Sequence, residues 1–187
     1  MSKKVLIPLA EGFEEIEAVA VIDVLRRGGI AVLVRSLGAQ LDVEGAHGLV
    51  VRAEAPLEGV GADDIDMVVL PGGGGGTKRL AADAGVQALL KAMDAEGKAI
   101  GAICAAPIAL NAAGVLKHNY TAYPGVEEEI RTEGFWGDKR QVVEDANVMT
   151  SRGPGTAICF GLEIVRKLAG EAQYESVKRG LLATYCT

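Results

Sequence analysis

Along the chain, short unbroken runs of apolar residues alternate with longer stretches in which apolar positions recur every three or four residues, the signature of strands alternating with amphipathic helices. Residues 4–10 read as a strand. Residues 14–27 read as a helix whose end is marked by Arg26, Arg27 and the pair Gly28-Gly29. A second strand spans 30–36, and 41–53, broken by Gly45 and Gly48, has the look of a hairpin. The run DMVVL at 66–70 is a buried strand that opens into Pro71 and five glycines, followed by a helical pattern over 80–96. The next strand covers 98–103 and a helix 105–113. An irregular region then runs to about residue 141 and carries the only tryptophan. Strands at 142–143 and 148–151 precede helices from about 155 to 182. No repeat, low-complexity segment or linker interrupts this order. It predicts an α/β, flavodoxin-like fold: a doubly wound, mostly parallel sheet sandwiched by helices, in a single domain over 1–187.

Composition narrows the picture. Hydrophobic residues make up 49% of the 187 positions and aromatic ones only 4%. The core must therefore be built from Val, Ile, Leu and Ala, as in sheets covered on both faces. The formal charge of −6 is spread along the chain with no basic cluster to neutralise phosphates, which argues against nucleic acid as the primary partner. The basic pair near the start precedes an apolar run of only about seven residues, short for a secretory leader. No stretch approaches the ~20 apolar residues of a membrane span, so a cytoplasmic protein with no membrane partner is expected. Three cysteines, an odd number without C-x-x-C spacing, and two histidines suggest neither a disulfide framework nor a zinc site. On this reading Cys159 is core, Cys186 carries no role, and no metal or other cofactor is expected.

Parallel strands end on one edge, where ligands bind. That edge gathers the segment 10–17, Gly72-Gly73, Cys104 and Ser151-Arg152-Gly153. Around Cys104 the residues Ala102, Ala105 and Ala106 are small, as a sharp strand-to-helix turn for a nucleophile demands, and Pro107 suits a first helical turn. A thiol at a helix N-terminus is expected to have a lowered pKa. The competing reading is a small buried cysteine filling space. The glycine run fails the phosphate-loop spacing at Thr77 and Arg79. Its better use is close backbone approach: the Gly73 N–H, with that of Ala105, could form an oxyanion hole at Cys104. Glu14 and Glu15 read as partners of the helix dipole. Glu17, on another face, could reach toward Cys104 as a protonated carboxyl donating to sulfur. His47 and His118 lie away from the elbow, so a Cys-His dyad is not encoded there.

Taken together, EGFEEIEA, VIDVLRRGGI, DMVVLPGG, GAICAAP and TSRGPGTAICFGLEIV span almost the whole chain, and in them the sequence resembles the ThiJ/PfpI superfamily, specifically its parkinsonism-associated deglycase branch with bacterial YajL-like members. The resemblance implies that Cys104 is an easily oxidised nucleophile contacted by protonated Glu17. It implies that Gly72, Gly73 and Ala105 line an oxyanion pocket supported by the Arg152 loop, and that the chain forms a homodimer partly through Ile16. The implied activity is cofactor-free conversion of 2-oxoaldehydes such as methylglyoxal to 2-hydroxy acids, or deglycation of modified amines or thiols. A redox-sensing or chaperone role without turnover is the alternative. Ala105 stands where peptidase-like branches have histidine, which argues against proteolysis. Tyr123 precedes Pro124 where some members have histidine, and His47 replaces a pocket-rim arginine, so these two are possible rim residues.

Overall fold

The computed structural model describes residues 2–186. Strands β1 (Lys4–Leu9), β2 (Ala31–Ser36), β5 (Ala55–Pro56), β6 (Met67–Leu70), β7 (Ala99–Ile103) and β9 (Val148–Ser151) run parallel, and β8 (Val142–Asp145) closes one edge antiparallel to β9. Their order is β5-β2-β1-β6-β7-β9-β8. The chain thus winds outward from β1 and then crosses back to β6, so the β1–β6 junction is the switch point where a ligand crevice is expected. A separate antiparallel hairpin of β3 (Asp42–Glu44) and β4 (Val50–Arg52) folds over that end, as the broken 41–53 pattern predicts.

The period-2 geometry of the strands divides the core in two. Ile7, Met67, Val69 and Ile103 face helices α1 (Glu15–Arg27) and α6 (Ala157–Ala169), while Leu6, Val68, Leu70 and Ile100 face α2 (Gly74–Ala82), α3 (Ala84–Ala95) and α4 (Pro107–Ala112). Close packing on the first face depends on small residues. A side chain at Gly101 would meet Phe160 of α6 at 3.1 Å, and one at Gly161 would meet Val24 of α1 at 3.0 Å. A short helix α5 (Val126–Ile130) and the terminal α7 (Glu171–Gly180) complete the described chain. Among the described residues no helix is long and apolar enough to cross a membrane.

Three expectations need correction. The helical pattern at 80–96 is two helices: Asp83 stops α2 and its side chain accepts from the Val86 N–H to cap α3. The helical pattern also begins earlier than residue 80, because α2 starts inside the glycine run at Gly74. Cys159 and Cys186 are neither plain core nor idle. They form a disulfide, their Cα atoms 5.1 Å apart across 27 residues of sequence. No local motif spans such a separation; the pairing follows from α7 doubling back along α6, which sequence spacing alone does not show.

Candidate active site

At the end of β7 the chain turns sharply, and Cys104 takes φ +64°, a left-handed conformation unusual for a residue with a Cβ. Neighbouring backbone holds it there. The Cys104 N–H donates to Ser151 O at 3.0 Å, and its carbonyl accepts from the Tyr123 N–H at 2.9 Å. The small residues Ala102 and Ala106 flanking the turn are fully buried. This is the strand-to-helix elbow the sequence suggests, although the helix itself starts at Pro107 and is only six residues long.

Glu17 comes from α1, across the switch point. It is wholly buried, and its Oε2 accepts from the Gly72 N–H at 2.8 Å. Its Oε1 is buried without another partner, and the carboxyl faces the Cys104 thiol. Burial pushes the Glu17 carboxyl up to about 7 against the pull of its hydrogen bonds, and nearby Glu14 adds to the rise. Burial likewise pushes the Cys104 thiol up to about 12, with the Glu17 charge as a second cause, while the N–H groups of Gly73 and Ala105 pull it back. The expected lowering by a helix N-terminus is therefore overturned: desolvation and a facing carboxyl outweigh two backbone donors and a short helix. The thiol and the carboxyl compete for one proton.

The glycines earn their places by geometry. A Cβ at Gly72 would lie 2.6 Å from both the Cys104 Cβ and Glu17 Oε2, filling the gap between the two groups. Gly73 has φ +87°, and a Cβ there would lie 2.3 Å from Gly12 O. Only a glycine fits where the main chain passes segment 12–14 this closely, and its N–H lowers the Cys104 thiol pKa. On the opposite side Gly153 sits against the Tyr123 ring, with Glu17 Oε1 at the edge of contact. Ser151 Oγ and Thr156 Oγ1, 2.7 Å apart, brace that loop. Arg152 within it is partly buried and its Nε has no partner.

His47 lies elsewhere. Its ring is exposed and its Nδ1 meets Glu15 Oε2 at 2.9 Å, while its backbone N–H donates to Glu15 Oε1. Glu15 is therefore no mere dipole partner but a buried anchor for the hairpin. Burial raises its carboxyl, yet the hydrogen bonds from His47 and Leu49 outweigh this and hold it below its usual value; His47 is raised in turn, chiefly by the Glu15 hydrogen bond. Glu14 caps α1, accepting from the Glu17 N–H at 2.7 Å. His118 belongs to the irregular region, where its carbonyl accepts from Arg131. Sequence reasoning placed Ser151 at this edge but not Thr156, and gave neither of them a role. The only hint of them was their place on either side of Arg152-Gly-Pro-Gly. A cavity of about 930 Å³ beside Trp136 and Gln141 holds none of the groups around Cys104.

A cysteine on a strained turn at the carboxyl edge of a parallel sheet, with a buried carboxyl from the first helix against it, defines an α/β protein of the elbow-thiol kind. Within that class the chain belongs to the DJ-1/PfpI family, whose pattern it matches over residues 3–167. It is 40% identical over 186 residues to Protein dj-1beta of Drosophila melanogaster, covering 99% of this chain and 100% of that one. The crystal structure of Drosophila melanogaster DJ-1beta superposes with a TM-score of 0.92 at 40% identity, covering 97% of this chain and 98% of the other. A Caenorhabditis elegans relative named glutathione-independent glyoxalase DJR-1.2 is 36% identical over 181 residues, 96% of this chain and 95% of that protein.

Proposed function

We propose that the protein is a cytoplasmic, cofactor-independent cysteine enzyme that converts small 2-oxoaldehydes such as methylglyoxal and glyoxal to 2-hydroxy acids in carbonyl stress. The observation that carries the reading is the buried Glu17 carboxyl set against the Cys104 thiol, with nothing else bound to its Oε1. A relative named as a glyoxalase that needs no glutathione supports the same chemistry.

In this mechanism Glu17 as carboxylate takes the thiol proton while the sulfur adds to the aldehyde carbon, giving a hemithioacetal. The oxyanion that develops lies near the N–H groups of Gly73 and Ala105, which pull the thiol pKa down in the resting protein. Glu17 returns that proton to the oxyanion and, again as carboxylate, moves a proton from the former aldehyde carbon to the adjacent one through an enediol, leaving a thioester of the 2-hydroxy acid. Water cleaves the thioester and returns the thiol. Deglycation of a modified amine or thiol would begin with the same addition. No histidine is needed, because one carboxyl with a pKa near 7 serves as both acid and base.

Steady-state assays with methylglyoxal test the proposal. Cys104→Ser is expected to abolish turnover, and Glu17→Gln to lose about 10²–10⁴-fold in kcat with folding kept, the usual worth of a positioned acid–base group. Full activity in Glu17→Gln would refute the mechanism. A second reading, a redox sensor without turnover, rests on Cys104 being the free thiol among the described cysteines. It predicts that mild peroxide adds two oxygens to Cys104 while the purified protein consumes no aldehyde.

A further inference from the structure

The disulfide plays no part in the chemistry at Cys104, yet both its cysteines belong to the same core cluster as Cys104. Cys159 is the third residue of α6, one turn beyond the loop Gly153–Thr156. That loop reaches the elbow in two short links: Thr156 Oγ1 meets Ser151 Oγ, and Ser151 O holds the Cys104 N–H. Whatever grips the first turn of α6 therefore grips one wall of the pocket.

The other partner, Cys186, belongs to a loosely held tail. After α7, Leu182 takes φ +54° and is 82% exposed, and Tyr185 is also exposed. Ala183 and Cys186 are buried with Leu181 packed beside them, the N–H groups of Leu182 and Ala183 donate back to α7, and beyond Ala183 the one described backbone hydrogen bond runs from the Cys186 N–H to Ala183 O. Segments with so few buried contacts open locally at small cost. Opening brings the Cys186 sulfur to solvent while the rest stays folded. The 27 residues between the cysteines are mostly α6 and α7, which hold each other without the disulfide: Arg166 lies 3.6 Å above the Tyr174 ring, and α6 is seated on α1 through Gly161 and Val24.

We propose that Cys159–Cys186 is a second redox site, a reversible thiol–disulfide couple that takes a dithiol as reductant and a hydroperoxide as oxidant, and that its closure clasps the tail onto the wall of the Cys104 pocket. In the opening step a thiolate of the dithiol attacks Cys186 Sγ and the S–S bond breaks. Cys159 leaves as thiolate and takes a proton. The second thiol of the reductant then resolves the mixed disulfide, departing as a cyclic disulfide and leaving Cys186 as a thiol. Closure reverses the two-electron change. The hydroperoxide transfers one oxygen to the Cys186 thiolate and leaves as alcohol or water, and the Cys159 thiol attacks the sulfenic acid and expels water. The pocket clause rests on the reading of Cys104 as the reacting centre; the couple itself does not.

The test uses the full chain carrying Cys104→Ser, so that no turnover enters the readout. The protein is treated with dithiothreitol without denaturant, blocked with N-ethylmaleimide and mapped by peptide mass, with hydrogen exchange followed in parallel. Cys159 and Cys186 are expected to become labelled together. Exchange is expected to rise roughly tenfold at 181–186 and across 153–160, with β1, β6 and β7 unchanged. One equivalent of hydrogen peroxide after removal of the reductant is expected to restore the bond. Cys186→Ser, which leaves the helix residue in place, is expected to show the open exchange pattern without any reductant. Labelling only in guanidinium would identify a permanent staple and overturn the couple, as would peroxide that fails to close it. Opening with no change at 153–160 would overturn the clasp. Wild-type protein that turns over no methylglyoxal while its couple opens and closes as described would instead count against the proposed function alone.

Discussion

One proton governs the site. With the Glu17 carboxyl near 7 and the Cys104 thiol pushed up to about 12, the form that carries a single proton between them spans the interval between those values. The pair titrates as a unit, so the lower step belongs to both groups together. That form is the one able to add to an aldehyde: below it both groups are protonated and no base remains. kcat/KM for methylglyoxal is therefore expected to climb tenfold per pH unit below about 7 and then level, and Glu17→Gln is expected to lose this limb. A pH profile that is flat from 5 to 8 would contradict the assignment. Stability follows the same carboxyl with the opposite sense. Its folded pKa lies above the ordinary 4.5, so its contribution is full below 4.5 and is lost as pH rises through about 7. A shift of this size corresponds to roughly 3 kcal/mol at most. Urea unfolding at pH 5 and pH 8 is expected to show wild type losing more stability than Glu17→Gln across that interval; His47 titrates in both proteins and cancels in the comparison.

At the scale of elements, the start of α1 shows what a sequence reveals and what it hides. Three carboxylates within four residues look interchangeable in the string EGFEEIEA. In the fold Glu14 caps the helix, Glu15 ties down the hairpin and Glu17 faces the thiol. The helical period separates Glu17 from Glu15, and so its different direction was legible. The role of Glu15 was not, because it depends on a hairpin thirty residues away whose Gly45 leaves the room: a Cβ there would lie 2.5 Å from the Glu15 side chain. Strand and helix order were likewise legible from periodicity, and the elbow from small residues around Cys104. Pairings between distant segments, Cys159 with Cys186 above all, left no local trace. The raised thiol was missed for a related reason: a rule about helix ends carries no information on what else is buried nearby. Glu15→Ala removes the acceptor of the His47 and Leu49 N–H groups and is expected to cost about 1 kcal/mol, the usual net worth of a hydrogen bond whose donor can turn to water. Hydrogen exchange is expected to rise in β3 and β4 first; equal protection there would show that the hairpin is held by other contacts.

On the scale of the whole molecule, one surface is poorly suited to solvent. Ile16 and Val19, three residues apart on α1, are 59% and 49% exposed, and Leu49 and Val50 at the hairpin are 64% and 59% exposed. Glu15 draws these two groups together, since it is part of α1 and accepts from the Leu49 N–H. Exposed apolar side chains gathered on two elements that are tied together mark an interaction surface. A two-fold partner would place α1 against its own copy, and that symmetry closes the assembly at two chains. We therefore expect a homodimer built on α1 and the hairpin, burying on the order of 1,000 Å² or more. The patch begins one residue from Glu15 and Glu17, so dimer formation and the site share a helix. In sedimentation at micromolar concentration wild type is expected to run as a dimer and Ile16→Lys as a monomer, the charge having no partner in a buried interface. Leu182→Lys, at the most exposed large apolar residue but on the opposite terminus of the chain, is expected to remain dimeric. Wild type sedimenting as a monomer would remove the dimer, and Leu182→Lys dissociating while Ile16→Lys does not would move the interface away from α1.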